Sequence, residues 1–290
     1  MISVIIPSVR DYRWKDIVKE FSVTKADYEI IVVGPCPPQD LGANFRVIQT
    51  NVKAAQCVEI GVRQSKGEYL FFSSDDVIED PNMLDVFLSY ILQYRASART
   101  WVVHKDDLVI LTPTVKQLGR FMQFGDELFP CTRNPDIETP LIPGTIFISR
   151  KDWDRIGGVD RNFVSVYWNA DVAMRCWAMG GKVITFPNVF SDEIIPNISE
   201  IGSANSGASF YQDWPYLLRL WTDGSAGSVT GILRKTRSRP FEPFIDEGIM
   251  ETDQGTPDRH KKTCQNFSLA LSEYIRTGRS PGCHNLEPMD

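Results

Sequence analysis

The chain has 290 residues, 42% of them hydrophobic, and a net charge of −6. That is enough apolar content for a full core, as one large domain or one domain with an appendage. The acidic balance disfavours duplex nucleic acid as a partner, because that role asks for a basic surface, although a local basic patch stays open. The six cysteines lie at 36, 57, 131, 176, 264 and 283, without a C-x-x-C pair. Several sit in apolar segments, so they read as reduced thiols of an intracellular protein. The opening Ile2–Ile6 run is too short for a secretory leader and has no basic stretch before it. No apolar run approaches a membrane span. The expectation is a cytoplasmic protein without a transmembrane segment, with peripheral attachment at a membrane left open.

Residues 2–6 are apolar and β-branched apart from Ser3, and Pro7-Ser8 ends them, so they predict a first strand entering the loop Pro7–Asp11. Trp14, Ile17, Val18 and Phe21 recur at helical spacing. Tyr28–Val33 predicts a second buried strand, stopped by Gly34-Pro35. Arg46–Ile48 predicts a short third strand. A helix from about Lys53 to Gln64 follows. Tyr69-Leu70-Phe71-Phe72 is a short apolar run bounded by turn residues, the pattern of a strand buried on both faces. It runs directly into Ser73-Ser74-Asp75-Asp76.

This succession predicts a parallel α/β sheet with right-handed crossovers, whose post-strand loops share one edge. Ligands bind at that edge. Adjacent carboxylates there fit a hard divalent cation that shares its oxygen ligands with a substrate diphosphate. A solvated acidic turn is the other reading. Asp80-Pro81 already has the look of a helix cap and first-turn proline without help from Asp75 or Asp76. No loop carries a G-x-G-x-x-G or G-x-x-x-x-G-K-[ST] pattern, so neither a dinucleotide fold nor a P-loop is indicated.

Further along, residues 81–95 predict a helix and Leu108–Thr112 a strand. Residues 113–140 are irregular and proline-rich, the mark of a functional flap or mobile segment. Thr145–Ile148 predicts a strand, Lys151–Ile156 a short helix stopped by Gly157-Gly158, Asn169–Met179 a helix, and Lys182–Phe186 a strand. Asp192-Glu193 reads as a solvated turn, with a role toward the acceptor as its functional alternative. Trp214–Trp221 predicts a helix, residues 222–230 a Gly/Ser-rich hinge, and Phe267–Ile275 a last helix. The basic run Arg234–Arg239 reads as a solvated loop, with donor phosphates or an anionic surface as its functional alternative. His260, Cys264, Cys283 and His284 are four soft ligands, but their spacing fits no standard zinc pattern.

The order of pieces resembles the GT-A glycosyltransferases, in particular the inverting family 2. The matching pieces are Ser3–Ser8, Tyr28–Val33, Gly67–Asp76, Ile142–Phe147, Ile156–Asp160 and Asp171–Arg175, which together span roughly residues 1–190. The resemblance implies an α/β fold, a GT-A (Rossmann-like), mostly parallel central sheet flanked by helices. It implies a domain over residues 1–215, followed by a mainly helical C-terminal extension over 216–290. It implies metal-dependent, inverting transfer of a sugar from a nucleotide-sugar donor of the nucleoside diphosphate type to an acceptor hydroxyl, with Mn²⁺ or Mg²⁺ as the cation. The acceptor stays open among glycans, lipid-linked glycans, proteins and nucleic acids.

The resemblance places Pro7, Ser8, Gly34, Ser74, Asp75 and Asp76 at donor binding. Lys53 and Gln56 would supply the polar contacts of the helix after the third strand. Arg10 and Lys53 could approach the diphosphate, with exposed surface charge as the other reading of both. The resemblance assigns Asp75 and Asp76 to the metal, with His260 or His284 as a further ligand. Trp168 and Asn169 fall on the acceptor side, with Tyr167 and Trp168 as a platform for a sugar ring or as core.

The chain departs from the family pattern at several points. Ser73 stands where the first metal-motif carboxylate is expected. Gly34 stands where a base-binding Asp is expected, and Val58-Glu59 where an Arg-Asn pair is. Trp168-Asn169 occupies the place of the catalytic Glu-Asp pair. An amide cannot take a proton, so Asp171 is the candidate base. Its position four residues before Arg175, in a helix's first turn, equally fits an ion pair and a helix-dipole contact. Two alternatives stay open: a degenerate, non-catalytic sugar-nucleotide or glycan-binding protein, and a sugar-nucleotide mutase or nucleotidyltransferase on a similar fold. Against the nucleotidyltransferase, the first loop lacks a Gly-rich, basic triphosphate signature.

Overall fold

The computed structural model describes residues 1–96, 108–117, 120–121, 133–134, 137–138, 145–160, 162–179, 181–193, 213 and 216. The first half runs β1 (Ile2–Pro7), a 3-10 turn (Asp11–Arg13), α1 (Trp14–Phe21), β2 (Tyr28–Gly34), β3 (Phe45–Gln49), α2 (Ala54–Gln64), β4 (Tyr69–Phe72), β5 (Val77–Glu79) and α3 (Met83–Ala96). The second runs β6 (Val109–Gln117), β7 (Arg120–Phe121), β8 (Arg133–Asn134), β9 (Ile137–Glu138), β10 (Ile146–Ser149), α4 (Arg150–Ile156), α5 (Trp168–Ala178) and β11 (Lys182–Glu193).

The main sheet has the order β3-β2-β1-β4-β10-β6-β11-β5, with β7 paired to β6 off that path. β1 is parallel to both β2 and β4, and β2 to β3. β6 and β11 are also parallel. β10 runs antiparallel to β4 and β6, and β5 antiparallel to β11. The sheet is therefore mixed, with a parallel first half.

Continuous apolar strands follow from burial on both faces. Alternate residues divide between two cores. Ile5, Leu70, Phe72, Ile110, Ile146 and Ile148 pack with α2, α4 and α5. Val4, Ile6, Tyr69, Phe71, Val109, Leu111 and Phe147 pack with α1 and α3. Trp14, Ile17 and Phe21 are the buried stripe of α1. Ser149 caps α4, accepting from the Asp152 amide over 3.1 Å. Gly157 ends that helix at φ 92, a left-handed conformation that glycine adopts without strain. Asp80 leads into α3, its Oδ1 accepting from the Asn82 amide over 2.9 Å.

Three stretches correct the sequence reading. β6 does not stop at Pro113, nor β11 at Phe186: both run on, side by side, to Gln117 and Glu193. A register shift between Phe186 and Phe190 takes up Pro187, a residue that cannot donate to a ladder. Asp192-Glu193 is therefore the end of a strand rather than a solvated turn. Residues 77–79, to which the sequence assigns no element, form β5. A three-residue strand shows no periodicity to read and exists through its partner β11.

Apart from Tyr216, the predicted helices at 214–221 and 267–275, the hinge, the basic run, the residues His260, Cys264, Cys283 and His284, and the expected C-terminal extension lie outside the described residues. Among the described residues, Cys36, Cys57 and Cys176 are free thiols, and no helix is long and apolar enough to cross a membrane.

Candidate active site

The order β3-β2-β1-β4 contains a reversal: the chain builds outward from β1 through β2 and β3, then returns to β1's other side with β4. The crevice between the loops that leave β1 and β4 is the place where open α/β sheets bind ligands. Here the two loops are tied together. Asp75 Oδ2 accepts from the Ser8 hydroxyl (3.0 Å), the Val9 amide (2.8 Å) and the Arg10 amide (2.9 Å). Asp75 Oδ1 accepts from Arg10 Nη1 over 2.6 Å. The Trp14 indole N–H donates to the Ser8 hydroxyl oxygen over 2.8 Å, anchoring the loop to α1.

Four donors engage the Asp75 carboxylate, which is buried. Its expected role as a metal ligand meets a physical obstacle, since an ion would have to displace the β1 loop. Asp76 differs. Its side chain is 28% exposed, with Oδ2 3.9 Å from Arg10 Nη1. Its Oδ1 is paired with the Ser74 hydroxyl. Burial, then the adjacent Asp75 charge, push the Asp76 carboxyl upward. The turn thus presents one carboxylate, with the Arg10 guanidinium beside it. Among the described residues no group of three or more His, Cys, Asp or Glu side chains is arranged to hold a metal. A single carboxylate still fits a cation that takes its other ligands from a diphosphate and water.

Gly34 has a backbone reason. A Cβ at this position would overlap the Ser8 carbonyl oxygen and lie 2.9 Å from its carbon. The β1 loop lies directly on the end of β2, so no side chain, acidic or otherwise, can stand at 34. Lys53 and Gln56 are buried at the start of α2, not spread across the crevice. Gln56 Oε1 accepts from the Lys53 amide over 3.4 Å.

On the acceptor side, Trp168 packs edge-on against Phe72, the last residue of β4, with ring centroids 5.6 Å apart. It meets Trp153 similarly at 6.4 Å. The start of α5 therefore sits under the end of β4. Tyr167, just before it, has φ 62, a strained value for a non-glycine residue. Asn169 Oδ1 accepts from the Ala170 amide over 3.0 Å.

Asp171, the candidate base, is fully buried and accepts from Arg175 Nε over 2.9 Å. Arg175 in turn donates to the Ile156 and Gly158 carbonyls at 2.7 and 2.5 Å. The pair fastens the Gly157-Gly158 turn to α5, with the Asp171 carboxylate held inside it. The ion-pair reading is the one the side chains adopt.

Four carboxylates not among the predicted site residues gather around the site: Glu59, Glu79 and Asp213 are buried and Glu193 is partly buried. Glu59 accepts from the Val159 amide over 2.8 Å and is pushed up to about 7, chiefly by burial. Glu79 lies beneath the 73–76 turn and is raised to about 7 by burial. Glu193 faces Val77 across the β5–β11 pairing and is raised to about 7 by burial, then by the Asp76 charge. Asp213 accepts from the amides of Val164, Ser165 and Val166 at 2.8, 2.7 and 2.9 Å. It secures the segment that leads into Tyr167. Tyr216 adds a hydroxyl bond to Asp160 over 2.8 Å. Glu59 alone carried a signal, a charged residue amid the apolar positions of α2.

No protein-family model and no curated protein matches the sequence. Solved structures do. S. aureus TarS 1-349 aligns at TM-score 0.50 and 14% identity, over 73% of this chain and 66% of that one. The fold is that of the GT-A glycosyltransferases. The TarS 1-349 complex with UDP-GlcNAc also aligns at TM-score 0.50, at 13% identity over 72% of this chain and 64% of that one. The chain spans 36% of a longer TarS structure. Within the GT-A fold, the Ser8–Arg10 loop and the Ser73–Asp76 turn stand at the switch point of the parallel half-sheet.

Proposed function

We propose that the chain binds a nucleotide-sugar donor at the crevice between the β1 and β4 loops and transfers the sugar to an acceptor hydroxyl, with inversion and the help of a divalent cation. One observation carries this reading. At the switch point of a GT-A fold, Asp75 joins the two loops, so that Arg10 and Asp76 stand together. A guanidinium suits a phosphate, and its charge is permanent. A carboxylate beside it suits a cation shared with the same diphosphate. Asp76 is the residue that would hold the cation, while Asp75 orients the Ser8–Arg10 backbone. When bound, such a cation offsets the charge that builds on the departing nucleoside diphosphate. The Trp168 face beside Phe72 suits a sugar ring, and Tyr167 shapes its rim.

Calorimetry of the full chain with UDP, GDP and other nucleoside diphosphates, with and without Mn²⁺, tests the reading. One of them binds, more tightly with Mn²⁺, and Asp76→Asn removes the Mn²⁺ effect. A folded chain that binds none of them would sink the proposal. A sugar-nucleotide-binding protein without transfer is the second reading. It is favoured by the Asn169 amide and the buried Asp171, since inversion needs a base within reach of the acceptor. Donor turnover sensitive to Asp76→Asn separates the two.

A further inference from the structure

Residues 73–79 form a loop closed on itself. The Ser73 hydroxyl donates to Glu79 Oε1 over 2.5 Å. Glu79 Oε2 accepts from the Ser191 hydroxyl on β11. Ser191 lies 3.1 Å from the Thr145 hydroxyl just before β10. Glu79 is 3% exposed, and its amide donates to Glu20 Oε2 over 3.3 Å. Both carboxylate oxygens are thus engaged, and the ends of β4, β5 and β11 meet at one side chain. At the loop's tip, Asp75 is fixed to the β1 loop by the four bonds already described. A loop held at its base and its tip leaves Asp76 a single place to stand.

We propose that Glu79 is a positioning residue of the donor site: its carboxylate closes the 73–79 loop and so sets where Asp76 meets the donor. The inference rests on the donor-site reading above. Stability alone does not account for a carboxylate here. A buried charge is costly, and an apolar side chain of similar volume commonly serves a core as well or better. What an apolar side chain cannot do is accept from Ser73 and Ser191 together. An amide can close the loop, accepting from one hydroxyl and donating to the other. A carboxylate introduced at 73 would face Glu79 across a hydrogen-bond distance without the hydroxyl that donates there, so the closing bond is lost unless one of the two takes up a proton. With an amide at 79, that same carboxylate would gain a donor.

The test is calorimetric titration of UDP and GDP with Mn²⁺ into the full chain, well below its melting temperature. Glu79→Ala weakens binding at least tenfold, whereas Glu79→Gln stays within threefold of wild type. Ser73→Asp also weakens it at least tenfold. Adding Glu79→Gln to Ser73→Asp brings affinity back to within threefold, so the two changes are strongly non-additive. Wild-type affinity in Glu79→Ala, with only a lowered melting temperature, would make Glu79 a stability residue and overturn the inference. A tenfold loss in Glu79→Gln would overturn it too. Should Glu79→Ala or Ser73→Asp not fold, the double variant decides. Restored binding supports the closure, and weak binding in a folded double variant overturns it. Wild-type chain that binds neither nucleotide overturns the donor-site reading and Glu79's part in it together. Tight wild-type binding matched by Glu79→Ala overturns Glu79's part alone.

Discussion

Gly34→Ala probes the join between the parallel half of the sheet and the candidate donor loop. The added Cβ would overlap the Ser8 carbonyl oxygen, so the β1 loop must move. Several bonds resist the move. The Ser8 amide donates to the Val33 carbonyl over 2.9 Å. The Ser8 hydroxyl and the Val9 and Arg10 amides donate to Asp75. A neutral hydrogen bond contributes about 1 kcal/mol net and one to a charged group about 1.5–3 kcal/mol. Losing one of each costs about 3 kcal/mol. Stiffening of the unfolded chain by alanine offsets roughly 0.4–1 kcal/mol of that. The expected net loss is about 2–3 kcal/mol. It is read as a lower midpoint in urea denaturation with an unchanged slope. Because Ser8, Val9 and Arg10 move together, nucleoside diphosphate affinity falls by at least tenfold in the same variant. A Gly34→Ala chain within about 0.5 kcal/mol of wild type, binding nucleotide normally, would refute the claim that backbone contact, rather than base recognition, dictates glycine here.

Three further outcomes follow from buried charges. Glu59 and Glu79 are both raised from 4.5 to about 7, so between those values the folded chain holds protons that the unfolded chain has released. Stability is then greatest below about pH 4.5 as far as these groups are concerned, and declines as pH rises through 7. Each group contributes about 3 kcal/mol to the span. Glu59→Gln flattens that part of a urea-denaturation series taken across pH 5 to 8 (roughly the window of the shift); an unchanged slope would count against the burial of Glu59. Asp213→Ala strips the partner from three amides, at about 1–3 kcal/mol for each that stays dry. Denaturation reports a loss of at least about 3 kcal/mol, and hydrogen exchange speeds up at Val164–Val166; unchanged protection there would disprove the contact. Arg175→Ala leaves Asp171 buried without its cation, a loss of about 3–5 kcal/mol. Arg175→Ala together with Asp171→Leu recovers part of it, and no recovery would show that the Gly157-Gly158 turn, not the charge, dominates.

Much of the first half was legible because its signals are local. Val4–Ile6, Ile30–Val33 and Tyr69–Phe72 are uninterrupted apolar runs, which only a strand covered on both faces can bury. Trp14, Ile17 and Phe21 fall on one helical stripe, and Gly157 ends α4 where the periodicity stops. The helix of Asp171 and Arg175 was visible too, but not what its carboxylate does. Spacing of four allows an ion pair and a solvent-facing base alike, and only the packing of Arg175 onto the Ile156 and Gly158 carbonyls distinguishes them.

The amino-acid sequence by itself determined the strands and helices of residues 1–96 other than β5, the glycines and caps that punctuate them, and the acidic turn after β4, since each depends on neighbours a few positions away. The tertiary structure alone decided which carboxylates are available. Asp75 is consumed by the β1 loop from 65 to 67 residues away. Asp76 is left partly exposed. Glu79 reaches Ser191 across 112 residues. It also decided that residues 77–79 are a strand, that β6 and β11 pass their prolines, and that Asp213 holds the 164–166 amides. Each of these is a pairing at long range, where the energy of a polar group depends on what else is buried beside it, and that is a property of the packed chain and not of any stretch of it.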